Sequence, residues 1–392
     1  MKRREINSTD AVHLGAGSWE SSSSLITPIV LSAPFKFDST GDLLDYLEGR
    51  SGRTQPEYGR QGNPTVRAVE NRIAALEGAD RALLFSSGMA AITSLFLVFT
   101  KSGDHVILTK DCYPRTRDFV VKFLSKFGVK GSLVEPSYEA IADAVKPQTR
   151  LVFTECPSNP HLRVVDIPKV SSLGNERGFL TVVDSTFATP FNFRPLEAGA
   201  DLVVHSATKY LGGHNDLLAG VVAGPQKLMD KIAEELPNLG GICHPHTAFM
   251  LERGLKTLAI RVAKQNENGR KVAEFLSKHP KVKTVFYPSL PSHPDHAIAI
   301  KLMKGFGGVV SFELNGDFEE TAAFVDKLKI PKIAPSLGGT ESLVEQVLLM
   351  GYWEKSDEER RRFGITENLV RLSLGIEEAE DLIADLNQAL QK

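Results

Sequence analysis

The chain has 392 residues, with 46 Lys and Arg against 48 Asp and Glu, 42% hydrophobic and 24% charged residues, and three cysteines. These near-average fractions exclude a disordered, collagenous or low-complexity chain. A net charge of -2 without a concentrated basic stripe excludes a typical nucleic-acid binder. At roughly 150 residues per domain, the length predicts two or three domains, or one large α/β unit with additions. Cys112, Cys156 and Cys243 are odd in number and far apart, so they predict no disulfide framework and a reducing, cytoplasmic setting. A polar stretch follows the basic start at 1–5 where a secretory signal would be apolar. No run of about 18 apolar residues is present to span a bilayer, so a soluble protein without a membrane partner is expected.

Residues 1–63 read as an irregular arm, with a serine run at 21–24 and Pro28, Pro34 and Pro56 interrupting its apolar stretches. From Pro64, Val66, Val69, Ile73 and Leu76 recur at helical spacing until Gly78. Buried-strand runs then appear at 82–85, 106–109, 151–154, 180–184 and 202–205, with helical stretches between several of them. That alternation predicts an α/β domain over 64–255, built on a mostly parallel sheet covered on both faces. Amphipathic helices at 270–277, 319–328 and 377–390, interleaved with strands at 284–287 and 309–314, predict a smaller α+β domain over 256–392.

Ligands of open α/β sheets bind beyond the carboxyl ends of the strands. After the first strand, Ser86, Ser87, Gly88 and Met89 lead into a small apolar helix, whose free N–H groups and dipole suit a phosphate. A tight turn without a ligand is the plain alternative. The second strand is followed by Lys110, Asp111, Cys112 and Tyr113, and the third by Glu155 and the residues up to Asn159. The fourth ends in Asp184, an acid that loses solvent there and titrates high unless a positive partner sits beside it, the plain alternative being a helix cap or loop hydrogen bond. The fifth runs into Ser206, Ala207, Thr208 and Lys209. Two hydroxyls at spacing two can hold a phosphate, and a buried lysine beside them can form a Schiff base. Together, the cup, the amine and the acid are the parts that a pyridoxal 5'-phosphate (PLP) site requires.

At these residues the sequence resembles the Cys/Met-metabolism branch of fold type I PLP enzymes, the cystathionine γ-synthase family. The resemblance rests on Glu57, Tyr58, Gly59 and Arg60 with Gly62, Asn63, Pro64 and Thr65; on Ser87, Gly88 and Met89; and on the segments 155–160, 184–190 and 205–220. It continues through 335–342 and 369–373 and covers the chain from about residue 11 onward. The family implies a fold type I PLP-dependent transferase. Lys209 would carry the cofactor as an imine and move protons at the substrate's Cα and Cβ. Asp184 would pair with the pyridinium nitrogen, and Tyr113 would stack on the ring. Ser87, Gly88, Met89, Ser206 and Thr208 would form the phosphate cup. Tyr58 and Arg60 would reach the phosphate of a neighbouring subunit, implying a homo-oligomer, a dimer of active-site-sharing dimers. Arg371 would clamp the substrate α-carboxylate, with Asn159 and Ser336 assisting.

For the reaction, the resemblance implies γ-replacement that forms L-cystathionine from an activated homoserine ester and L-cysteine. A γ-lyase acting on cystathionine or methionine, or an O-acylhomoserine sulfhydrylase, is the alternative. Pro335 stands where many relatives carry glutamate, and Pro114, Arg115, Thr116 and Arg117 replace a glycine-rich turn; with Ile333, Ala334, Tyr352 and Trp353 they look most like plant-type members. Lys110, Arg115 and Arg117 suit an anionic leaving group, phosphate in the plant-like pattern, although a solvated basic turn explains the same charges. A PLP-binding scaffold without catalysis would lack Lys209 or Arg371, and both are present. Metal binding is not expected, because Cys243, His244 and His246 fall short of four ligands. No G-x-G-x-x-G opens a helix for a dinucleotide.

Overall fold

The computed structural model describes residues 5–15, 24–53 and 55–391, which leaves the serine run outside the described residues except for Ser24. One sheet contains β1 (Arg81–Phe85), β2 (His105–Thr109), β3 (Lys130–Val134), β4 (Thr149–Glu155), β5 (Leu180–Asp184), β6 (Leu202–Ser206) and β7 (Gly220–Gly224). Its order is β1-β7-β6-β5-β4-β2-β3. Only β7 runs antiparallel to its neighbours, so β1, β2, β4, β5 and β6 bring their carboxyl ends to one edge.

The second sheet contains β8 (Val282–Phe286), β9 (Val309–Leu314), β10 (Lys332–Ile333), β11 (Leu343–Gln346) and β12 (Leu369–Ser373), in the order β10-β11-β12-β9-β8. Its pairings are antiparallel except for β10 beside β11. Helices cover both faces of the first sheet. Ile92, Leu95 and Phe96 of helix Gly88–Phe99, with Met229 and Ile232 of helix Gln226–Leu239, pack on Leu83, Phe85, Val204 and Val222. A second cluster joins Val203, Val221 and Tyr210 through Leu258 and Val262 to Val310 and Val370, so one apolar core ties the two sheets together.

Local chemistry sets the element ends. Helix Pro64–Glu77 begins where Asn63 Oδ1 accepts from Thr65 N (2.9 Å), has proline in its first turn, and stops at Gly78, whose φ of 68° is a left-handed cap. Strand β7 occupies Gly220–Gly224, where a side chain at Gly220 would collide with the Ser87 carbonyl and Gly88 Cα. The arm is more ordered than its composition predicts. It contains helices Ser8–His13 and Thr40–Leu47, and Thr65 Oγ1 donates to Pro28 O (2.7 Å) while accepting from Val30 N (2.9 Å). Helix Thr40–Leu47 nevertheless buries none of its residues, and Leu31, Leu44, Leu47 and Tyr58 are exposed.

Candidate active site

Each predicted site residue on the first sheet falls at the edge where the parallel strands end. Ser87 caps helix Gly88–Phe99 by accepting from Ala90 N (3.0 Å); the first-turn amides of Gly88 and Met89 have no intrahelical acceptor, as at any helix start. A Cβ on Gly88 would lie 2.9 Å from Ser206 Cβ, so only glycine lets the two turns approach this closely. Ser206 is the last residue of β6, and Thr208 Oγ1 accepts from Ala219 N (3.1 Å). Tyr113 is 45% exposed, with its backbone N–H donating to Glu155 Oε1.

The second sheet supplies the opposite wall. Lys209 Nζ donates to Ser336 Oγ (2.8 Å), and Arg371 Nη2 donates to Ser336 O (3.2 Å). Arg371 Nη1 donates to Asn159 Oδ1 (2.8 Å) in the loop after β4. Ser336 therefore joins amine and guanidinium, and it does so at φ 149°, a region costly for any residue with a side chain and found mainly at functional positions. Lys209, Asn159, Ser336 and Arg371 thus form one connected network. Tyr58 and Arg60 do not join it among the described residues: Arg60 is exposed, with its guanidinium 5.1 Å from the Tyr58 ring.

Burial and neighbouring charge set the protonation states. Burial pushes the Lys209 amine down to about 8, with Arg371 lowering it further and Glu345 opposing. Burial raises Asp184, while Thr186 counters by donating from its hydroxyl and its backbone N–H (3.0 Å) to Asp184 Oδ1. Glu155 is held well above the ordinary carboxylate range by burial and then by the charge of Asp184, its partner across β4 and β5. Two adjacent buried carboxylates cannot both ionise. The Thr186 bonds keep the charge on Asp184 and leave the proton on Glu155.

Sequence reading assigned no role to Thr186, Glu155 or Glu345. Thr186 carried a readable signal, a hydroxyl two residues after an acid, which is a common local hydrogen-bonding pattern. Arg117 requires a correction. It is buried, donates to Lys110 O and Tyr352 Oη (2.9 Å), and stacks 3.9 Å from the Phe363 ring centre. Those contacts make it a packing residue, leaving exposed Arg115 and half-buried Lys110, the latter paired with Glu135 at 2.6 Å. Cys243 and His244 also have local partners, with Cys243 Sγ donating to His244 O and His244 capping helix Pro245–Leu255.

The profile of the family described as "Cys/Met metabolism PLP-dependent enzyme" matches residues 8–391. The chain belongs to this Cys/Met-metabolism family of PLP enzymes. It is similar to "Cystathionine gamma-synthase 1, chloroplastic" of Nicotiana tabacum, with 48% identity across 97% of this chain and 71% of the relative. It is 42% identical to an L-methionine gamma-lyase of Fusobacterium nucleatum subsp. polymorphum, across 98% of each. The crystal structure of MetB from Corynebacterium glutamicum superposes with a TM-score of 0.91 at 39% identity, covering 98% of this chain and 97% of that one. Family members depend on PLP, and the residues here fit that group: the Gly88 cradle has no space for a Cβ, the Lys209 amine is depressed, and a buried carboxylate stands at Asp184.

The Lys209 amine of the cofactor-free protein should lose its proton near pH 8. Its acylation rate against pH, followed by peptide mass spectrometry, should show a midpoint there that moves upward in Arg371→Leu. A midpoint near the ordinary lysine value of 10.5, unmoved by that substitution, would contradict the electrostatic reading.

Proposed function

We propose that the chain joins an activated homoserine ester to L-cysteine by γ-replacement, yielding L-cystathionine. The reading is carried by the link from the Lys209 amine through Ser336 to the Arg371 guanidinium, in a chain aligned almost throughout with a plant cystathionine gamma-synthase. The Cγ–O bond of the ester breaks, its acid leaves as an anion, and the cysteine thiolate forms the Cγ–S bond. When bound, PLP supplies an electron sink that acidifies the protons on the substrate's Cα and Cβ.

The protein's own groups then have distinct tasks. Ser87, Gly88, Met89, Ser206 and Thr208 would hold the cofactor phosphate at the positive end of helix Gly88–Phe99. Tyr113 would cover the ring, and Asp184 would face the ring nitrogen. Arg371 binds the substrate α-carboxylate, for which a planar guanidinium is the strongest partner, and so orients Cα toward Lys209. Lys209, with an amine poised near neutrality, takes the Cα proton and then serves Cβ; Ser336 Oγ keeps its nitrogen between the two walls. Arg115 favours an anionic leaving group, and the plant-like pattern around Pro335 and Trp353 favours a phosphoryl ester. A reducing compartment, the cytoplasm in our reading, suits the three unpaired thiols. A product assay with phosphoryl, succinyl and acetyl homoserine should give cystathionine only when cysteine is added. Rapid 2-oxobutanoate release from cystathionine or methionine, with no replacement product from any ester, would reject the synthase reading in favour of a lyase.

The arm supports a shared site. Tyr58 and Arg60 touch only each other and neighbouring arm residues among the described contacts, and the arm's Leu31, Leu44 and Leu47 are uncovered. We place them in the phosphate cup of a neighbouring subunit, within a dimer that pairs into a homotetramer. Inactive Lys209→Ala and inactive Arg60→Ala chains, mixed under subunit exchange, should regain activity through one intact site per hybrid dimer. A mixture that stays inactive despite demonstrated exchange would return both residues to one subunit's site.

A further inference from the structure

Glu345 has no task in the mechanism above, yet it shares the clamp. It stands across from Arg371 in the antiparallel pairing of β11 and β12. Its Oε2 lies 3.1 Å from Arg371 Nη2, with the two side chains 8% and 7% exposed. The other contacts of the guanidinium are to neutral oxygens, Asn159 Oδ1 and Ser336 O, and its Nε is buried without a partner. An internal carboxylate therefore already neutralises the clamp before any ligand arrives.

We infer that Glu345 is a positioning residue that takes up a proton whenever a carboxylate ligand seats on Arg371. The inference rests on the reading of Arg371 as the carboxylate clamp. A seated ligand puts two anions on one cation in a space with little water, and carboxylates sharing such a site cannot both stay ionised. The proton goes to the weaker acid. An α-substituted acid ionises below a glutamate side chain, so the ligand keeps its charge and Glu345 becomes neutral. As a neutral acid, Glu345 still holds its strand position beside Arg371 while leaving the guanidinium's full charge to the ligand.

The surroundings agree. Burial already raises Glu345, and the charges that pull it down are those of Arg371, from β12, and Lys209, from the turn after β6. On the other side, β10 offers Lys332, which is exposed, pairs with Leu343 and donates to Lys329 O. Helix Phe318–Lys327 packs through Phe324 and Val325 in the core that contains Val344, the residue before Glu345, whose side chain points to the opposite sheet face. Once a ligand claims Arg371, and the cofactor engages Lys209, little remains to keep Glu345 ionised.

The test uses the PLP-loaded enzyme and 2-hydroxybutanoate, a four-carbon acid whose hydroxyl replaces the amine and cannot react with the cofactor. Calorimetric titration in two buffers of different ionisation heat counts protons, and cofactor absorbance recorded in parallel subtracts any proton taken at the cofactor-bound nitrogen. The wild type should take up about one further proton per ligand, with affinity falling roughly tenfold per pH unit in the mildly alkaline range. In Glu345→Gln both the uptake and this pH dependence should vanish. Wild-type binding without the extra proton, or an unchanged proton count in Glu345→Gln, would overturn the inference and leave the clamp reading intact. Binding that is undiminished in Arg371→Leu would overturn the clamp reading, and the inference with it.

Discussion

A lysine amine held beside an arginine, where two sheets exclude most of the water, is the constraint from which the other features of the site follow. Burial disfavours both cations, so each needs a partner that does not remove its function. Ser336 satisfies the amine with a neutral hydroxyl and the guanidinium with a carbonyl. Glu345 supplies the one counter-charge on Arg371, from the adjacent strand and not from solvent. Lys209 consequently has its amine pushed down to about 8, and Arg371 retains a buried, unspent donor at Nε.

The backbone pays for this arrangement at a few positions. Gly88 and Gly220 let helix Gly88–Phe99 approach β6 and β7 more closely than any side chain permits, and Ser336 carries a φ of 149° to reach both cations at once. On the far side of the edge, Glu155 and Asp184 form a second buried group, in which Thr186 decides which carboxylate keeps the charge. The first sheet thus brings a helix start, a lysine and an acid, and the second brings a guanidinium. Their shared apolar core fixes the distance between the two walls.

How much of this was legible depended on whether a residue's task was local. Strands at 180–184 and 309–314 coincide with β5 and β9, because short stretches rich in Val, Leu and Phe stand out even with a polar residue among them. Helix Pro64–Glu77 was equally plain from its proline, its spacing and Gly78. β7 escaped detection because its ends are glycines required by the neighbouring turn, and β3 because it is a half-exposed edge strand. β11 reads Leu343, Val344, Glu345, Gln346, and the acid looks out of place until the pairing with Arg371 is known. Arg117 misled in the opposite sense: its charge suggested a substrate contact, but Phe363 and Tyr352, far away in sequence, enclose it. Motif residues of the first sheet could be placed from the sequence because they stand at or just past strand ends; Ser336 and Arg371 were reached through the family resemblance, and the pairing that sets Glu345 beside Arg371 could not be read, since register is a tertiary fact.

In the proposed site, Lys209 is the amine that carries the cofactor between these walls. Borohydride reduction of the PLP-loaded protein, followed by proteolysis and mass spectrometry, tests that most directly. The cofactor should be found fixed to the peptide containing Lys209. A label on a different lysine, or no label in an active sample that retains its yellow colour, would contradict it.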